Sequence, residues 1–258
     1  MQNDAAIEFQ DVTFGLASSP EMVQGLTLSV ARGEMLLLLG RSGSGKTTSL
    51  KLINRLLDPT GGVVRVEGRA TTEWDVIKLR RGIGYVIQEI GLFPHFTIER
   101  NIALIPTIEG WDADPTRARV RELLNIVGLS EQIVKRYPRE LSGGQRQRVG
   151  VARALAADPP ILLMDEPFAA VDPITRAELQ REFRELQKRL KKTVVFVTHD
   201  LREALVLADR IALIDSGKLI ALHTPSDFQR SENELVRSYL NAFGENGALT
   251  APRENVSR

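Results

Sequence analysis

The chain has 258 residues, 43% hydrophobic and 26% charged, with 34 Lys plus Arg against 33 Asp plus Glu and no Cys. A balance so close to neutral argues against a polyanion-binding surface, and so against nucleic acid. The missing thiols exclude disulfides, thiol catalysis and cysteine-ligated zinc, and fit a reducing cytoplasm. No run approaches the ~20 apolar residues of a membrane span. The start MQNDAAIEFQ is neither basic nor apolar, so the expectation is a soluble chain without a signal peptide.

In chain order, AIEFQDVTF reads as a strand. GLTLSVARGEMLLLLG reads as a second one, closing on the apolar run Met35 to Leu39. KTTSLKLINRLL predicts a helix stopped by Asp58-Pro59 and Gly61-Gly62, and GGVVRVEG and IGYVIQ are further short strands. Between Gln88 and Ile161 no strand is expected: DPTRARVRELLNIVGL has apolar residues at helical spacing, and Ser142 to Ala157 reads as a helix stopped at Asp158-Pro159-Pro160. This predicts an α-helical subdomain, about residues 92–157, inserted in an α/β core that resumes with ILLMDE. A helix from about Pro173 to Lys191, the strand TVVFVTHD, short strands RIALID and KLIALH and a C-terminal helical stretch follow. The organisation expected is one domain over residues 1–243 and a polar, mobile tail over 244–258.

The stretch Gly40-Arg41-Ser42-Gly43-Ser44-Gly45-Lys46-Thr47-Thr48 satisfies G-x-x-x-x-G-K-[ST] between an apolar strand and a helix, which turns a pattern into a mechanism. Glycines let successive backbone N–H groups converge on phosphate oxygens, and the helix N-terminus adds partial positive charge. Lys46 would reach the β- and γ-phosphates, and the Thr47 hydroxyl would ligate Mg²⁺. The apolar strand ILLMDE carries Asp165 to the carboxyl edge of the sheet, where it can orient Mg²⁺ through water, and Glu166 next to it can polarise the attacking water. Together these motifs mean that ATP or GTP is bound and split.

ELSGGQRQRV decides the class. Leu141-Ser142-Gly143-Gly144-Gln145 resembles the signature of ABC-transporter ATPase subunits. The resemblance covers essentially residues 7–243 with the motifs in order, and implies a RecA-like P-loop nucleotide-binding core with an antiparallel β subdomain and an inserted α-helical subdomain. It further implies ATP and Mg²⁺ as cofactors and a dimer of two such subunits, self or homologous. In that family the signature acts in trans, on the nucleotide held by the partner. Gln88 resembles the Q-loop glutamine that contacts Mg²⁺ or the lytic water, Asp172 the D-loop aspartate at the dimer interface, and His199 the switch histidine that contacts the γ-phosphate and orients Glu166. Two departures stand out. Where the family stacks an aromatic ring on adenine this chain has Leu16, with Phe14 two residues earlier, so either is the candidate adenine contact. The D-loop reads FAAVD, with Ala169 and Val171 in place of the usual Gly and Leu.

KLINRLLDPTGG, GYVIQEIGLFPHFTIERNIALIP and EPFAAVDPITRAELQREF are similar to the ATPase subunits of osmoprotectant importers, which move glycine betaine, choline or carnitine. That implies multispan membrane permease subunits and, indirectly, a solute-binding protein as partners. It also implies a cytoplasmic location, peripheral on the inner face of the membrane. Several members of that branch carry C-terminal nucleotide-sensing modules, and the expectation here is a chain without them. A soluble ABC ATPase of DNA repair or translation is the alternative, set against the absence of a coiled-coil arm and of a second cassette; a small-molecule kinase would leave LSGGQ and His199 without purpose. Leu92, Phe93 and Phe96 around Pro94 are expected to form an apolar patch, part of it left exposed as a docking groove for a short helix of the membrane subunit. In RAELQREFRELQKRLKK the stripe Leu179, Phe183, Leu186 and Leu190 predicts an amphipathic helix packed on the sheet, with Arg181–Glu185 and Glu185–Arg189 pairs on its wet face.

Overall fold

The computed structural model describes residues 5–16, 21–88, 91–169 and 171–244. Two sheets carry the fold. Strands β1 (Ala5–Phe14), β2 (Val23–Ala31), β4 (Gly61–Val66) and β5 (Arg69–Ala70) form an antiparallel sheet in the order β2-β1-β4-β5. A six-stranded sheet is ordered β10-β9-β3-β8-β7-β6, from β3 (Met35–Leu39), β6 (Ile83–Val86), β7 (Ile161–Asp165), β8 (Thr193–Thr198), β9 (Arg210–Asp215) and β10 (Lys218–His223). All its neighbours run parallel except β9 and β10, which form a hairpin.

The parallel strands read as unbroken apolar runs because both faces are covered. Met35, Leu37 and Leu39 point into one core with Leu162, Met164 and Phe196, whereas Leu36 and Leu38 point into another with Ile161, Leu163 and Val197. The second core lies between the two sheets and takes in Leu50, Leu52 and Ile53 of α1 (Lys46–Ile53). The first takes in α7 (Pro173–Leu190), α8 (Leu201–Leu207), α9 (Pro225–Arg230) and α10 (Glu234–Gly244), through residues such as Phe183, Ala204, Phe228 and Val236. It is continuous with the apolar residues of α3 (Ile98–Ile102), α5 (Ala113–Ile126) and α6 (Gly143–Ala154). Each fully buried Leu or Ile contributes about 1.5–3 kcal/mol by leaving water.

Between Gln88 and Ile161 the described residues are helical or irregular, with α4 (Leu104–Ile108) completing the set, as the sequence predicts. The short α2 (Val76–Arg81) has no predicted counterpart; Asp75 caps it by accepting from Ile77 and Lys78 N–H. Several boundaries move. GLTLSVARGEMLLLLG is two strands in different sheets, because Ala31 N–H donates to the Glu34 carboxylate at 2.7 Å and closes a turn between them. Helix α1 ends at Ile53, well before Pro59, since Arg55 adopts φ 53°. Helix α6 ends at Ala154 rather than Ala157. On α7 the stripe packs on the core as expected, with Leu179, Phe183 and Leu186 buried and Leu190 half-buried, but Glu185 pairs with Lys188 at 3.2 Å and Arg184 with Asp209 at 2.7 Å. The tail expected to be mobile lies, apart from Gly244, outside the described residues.

Candidate functional site

Strand register builds the site. Leu39 of β3 lies opposite Thr198 of β8, and Asp165 of β7 opposite Val197, so three neighbouring parallel strands end together. That edge receives the loop from Gly40 to Gly45, the pair Asp165-Glu166 and the turn holding His199. A cavity of about 290 Å³ opens there, lined by Met22, Ser42, Gly43, Gly45, Lys46, Thr47, Thr48, Gln88, Glu166 and His199. Residues more than 150 positions apart in the sequence thus face one space.

The loop before α1 has the shape a phosphate needs. Gly45 caps the helix at φ 103°, and a Cβ there would sit 2.3 Å from the Met22 carbonyl oxygen, so only glycine fits. No side chain caps α1, which leaves its first N–H groups free to bond an anion. The Lys46 ammonium lies beneath the loop, donating to the carbonyls of Gly40 at 2.8 Å and Arg41 at 2.7 Å. Burial holds this amine below the usual lysine range, while the Glu166 and Asp165 carboxylates pull it back up. It is a cation already desolvated, which strengthens its attraction to a phosphate.

Thr47 donates its hydroxyl to Asp165 at 2.9 Å. Burial pushes the Asp165 carboxyl above its ordinary range, the Thr47 hydrogen bond draws it down, and neighbouring Glu166 raises it again. A cation here would relieve both the desolvation and the crowding of two carboxylates. The donors fit Mg²⁺: they are hard oxygens, and among the described residues no cluster of three or more His, Cys, Asp or Glu forms a self-sufficient cage. Mg²⁺ is usually held by one or two carboxylates together with substrate phosphates.

Glu166 continues the β7 ladder by donating its N–H to Val197 at 3.0 Å, then turns at φ 44°. A positive φ in a residue with a Cβ costs of order 1 kcal/mol or more and gathers at functional sites. The turn leaves the carboxylate at the cavity with its oxygen 3.1 Å from His199 Nδ1, the histidine being mostly exposed and Glu166 mostly buried. A carboxylate oriented by an imidazole beside a phosphate cradle can take a proton from water.

The signature residues Leu141 to Gln145 and Asp172 do not line this cavity. Leu141 is buried, and Ser142 starts α6 with a complete capping box: its hydroxyl accepts from Gln145 N–H at 3.2 Å, and the Gln145 side chain accepts from Ser142 N–H at 3.0 Å. The N–H groups of Gly143 and Gly144 point outward, as those of any first helical turn do. Gly144 packs on α7, since a Cβ there would lie 2.8 Å from the Thr175 methyl. Asp172 caps α7, accepting from Thr175 N–H at 3.0 Å. Arg148, next along α6, donates to the Val127 carbonyl at 2.8 Å and pairs with Glu182 at 2.5 Å, tying α5, α6 and α7 together.

One expected placement is corrected. Phe14 does not reach this cavity, because its ring is buried between the sheets and its strand position pairs with Val23. Leu16 is exposed, yet it does not line the cavity either. The residue the sequence reading missed is Met22, whose sulfur lies 4.0 Å from the Thr48 hydroxyl and whose carbonyl packs on Gly45. Its signal was indirect, as the last residue before the strand that returns past the loop. Tyr239 of α10 was also missed; it lines a second hollow with Gly40, Arg41, Ser42 and His199.

Comparison with known proteins agrees with this geometry. The family model described as ABC transporter matches residues 23–169. The chain is 48% identical over 235 residues to the glycine betaine/carnitine/choline transport ATP-binding protein OpuCA of Bacillus subtilis (strain 168), covering 91% of this chain and 62% of that one. It is 51% identical over 220 residues to the osmoprotectant import ATP-binding protein OsmV of Salmonella typhimurium, covering 84% of this chain and 58% of that one. The chain therefore spans about three fifths of the length of these relatives. Its fold matches the dimeric post-hydrolysis structure of the ATP-binding cassette MJ0796 bound to ADP and Pi, with a TM-score of 0.76 at 33% identity, covering 85% of this chain and 98% of that one. The order of motifs, the shared edge of β3, β7 and β8, and these likenesses have one meaning: the chain belongs to the ABC transporter family.

Proposed function

We propose that the chain is the ATP-hydrolysing subunit of an ABC importer that takes up a quaternary-ammonium osmoprotectant through separate membrane subunits. The observation that carries the hydrolytic part is the single cavity holding Lys46, Thr47, Gln88, Glu166 and His199. In this reading the loop from Gly40 to Gly45, the N-terminus of α1 and Lys46 hold the β- and γ-phosphates of ATP. Thr47, Asp165 and Gln88 hold Mg²⁺, partly through water; the ion offsets charge on the phosphates. Glu166 receives the proton of the attacking water, and His199 holds Glu166 in place. Ser142, Gly143, Gly144 and Gln145, with Asp172, face the nucleotide of a second copy or a homologous subunit. Met22, across the loop from Thr48, takes the base side of the nucleotide in place of Phe14.

The importer part is supported by the relatives' names and by a surface. A groove of about 470 Å³ lies beside β6, lined by Ile77, Tyr85, Phe93, Ile105, Ile108 and Arg153, among others. Phe93 and Ile108 are exposed there, whereas Leu92, expected in the patch, packs against the main core. Asn101, fully buried, fixes the loop by accepting from Phe93 N–H at 2.8 Å and donating to the carbonyls of Phe93, Phe96 and Thr97. A short helix of the membrane subunit fits such a groove with apolar anchors at helical spacing. The groove's lining brackets Gln88 in sequence, with Tyr85 before it and Phe93 after, so docking there would reach the site. On this reading the chain works at the cytoplasmic face of the membrane, held by the permease subunits, with a solute-binding protein acting beyond them.

The test is Glu166→Gln. Turnover should fall by about 10²–10⁴-fold while ATP binding persists, and the protein should accumulate as an ATP-bound dimer on a sizing column. Turnover near the wild-type rate would remove Glu166 from the mechanism. For the importer part, Phe93→Asp should leave the isolated chain folded and hydrolysing, yet abolish assembly with the membrane subunits and solute uptake; normal uptake would end the docking reading.

A further inference from the structure

Behind Glu166 lies a polar network that the proposed mechanism does not use. β8 ends at Thr198, and His199 and Asp200 form the turn before α8. The Thr198 hydroxyl accepts from Asp200 N–H at 3.0 Å, so it braces both ends of that turn. The same hydroxyl donates to Glu203 at 2.5 Å, and the other Glu203 oxygen accepts from the Gln180 amide at 2.9 Å. Glu203 is 5% exposed and Thr198 2% exposed, so this carboxylate is buried beneath the turn.

Gln180 and Arg176 belong to α7, the helix that Asp172 caps. Arg176 donates to the Val171 carbonyl at 3.1 Å and lies 3.8 Å from the Asp200 carboxylate; its buried Nε finds no hydrogen-bond partner among the described residues. A cavity of about 40 Å³ is shared by these groups and the catalytic pair: Arg176, Thr198, Asp200 and Glu203 line it together with Glu166 and His199. Burial pushes the Glu203 carboxyl up, against the Thr198 hydrogen bond that draws it down. Such a group is costly to bury, and apolar residues of similar volume would often stabilise the fold as well or better. What it does that apolar packing cannot is bond Thr198 and Gln180 at once.

We propose that Glu203 is a positioning residue for hydrolysis: by joining Gln180 on α7 to Thr198, it fixes the turn so that His199 stays within hydrogen-bond distance of Glu166. The placement of α7, and of Asp172 at its start, is thereby transmitted to the switch histidine. The inference rests on the hydrolytic reading of Glu166.

The test compares wild type with Glu203→Ala, Glu203→Gln, Thr198→Val and the double variant Glu203→Ala/Thr198→Val, all in the full chain. Two readouts are taken: steady-state ATP hydrolysis, and the ring resonances of His199, one of 3 histidines in the chain. Loss of alignment at a reacting pair costs up to about 10²-fold. Glu203→Ala and Thr198→Val should each lower kcat by about 10–100-fold with KM for ATP little changed, and shift the His199 resonances. The double variant should be no worse than the poorer single one, as expected for members of one network. Glu203→Gln, whose amide oxygen can still accept from Thr198, should recover most of the rate. Wild-type kcat in Thr198→Val, which keeps the side chain's shape, would overturn the proposal; so would unmoved His199 resonances, or a loss confined to KM or to the folded fraction. A wild-type chain that does not hydrolyse ATP would defeat the hydrolytic reading instead, and the His199 resonances would still decide whether Glu203 positions the turn.

Discussion

Two helices in this molecule start with glycine and a hydroxyl, and they are built oppositely. Helix α1 starts at Gly45 with no side-chain cap, and its Thr47 hydroxyl is turned to Asp165. Helix α6 starts at Ser142 with a closed capping box and neither a carboxylate nor a buried lysine in its first turn. The first leaves its N–H groups without a side-chain cap, above a buried cation held on the loop's own carbonyls. The second satisfies its own cap and needs nothing from its chain, so it is a rigid surface ready to meet a ligand brought from outside. The difference supports the roles proposed above, α1 holding a nucleotide and α6 closing over one held by another copy.

Single substitutions can separate those two roles. Lys46→Ala removes the buried cation of the first site, and should abolish measurable ATP binding together with hydrolysis, a loss of at least about 10²–10³-fold in rate. Ser142→Ala should spare ATP binding by the monomer but lower hydrolysis by about 10–100-fold, since only closure is impaired; the lost cap also costs about 1 kcal/mol of helix stability. Nucleotide titration alongside turnover checks both. If Ser142→Ala weakens binding to the monomer as much as Lys46→Ala does, the two helix starts are not doing different work.

The smallest effect concerns how α6 is seated. Gly144→Ala places a methyl 2.8 Å from the Thr175 side chain on α7. Overpacking of this kind costs about 1–3 kcal/mol, read as a lower denaturant midpoint. Thr175→Ser removes the methyl it meets, and should recover much of the loss in the double variant. Additive effects would mean that α6 is not braced on α7 at this point.

Much of this was legible in the sequence because the relevant signals are local. The phosphate loop needs glycines at fixed spacing, the parallel strands need unbroken apolar runs, and Ser142 with Gln145 spells a capping box. What was not legible depended on partners distant in sequence. That GLTLSVARGEMLLLLG divides between two sheets rests on a turn closed by Glu34 and on where each half finds a neighbour. Phe14, two residues before Leu16, could replace it only through a shift of register, and the second sheet covers it instead. Met22 carries no motif, and becomes visible only when its carbonyl is seen against Gly45. The Glu203 network likewise joins α7 to the turn after β8 through contacts no spacing rule announces.

The central claim is that the nucleotide on α1 of one copy is closed by the start of α6 of another. The chain has no cysteine, so a pair can be introduced without background. In a Glu166→Gln background, Ser42→Cys in the phosphate loop and Ser142→Cys at the start of α6 should be joined by a short bifunctional thiol reagent. With ATP present, the account predicts a covalent dimer linked between Cys at position 42 of one copy and position 142 of the other, sharply reduced without nucleotide. Cross-linking confined within one copy, or a dimer yield indifferent to ATP, would contradict it.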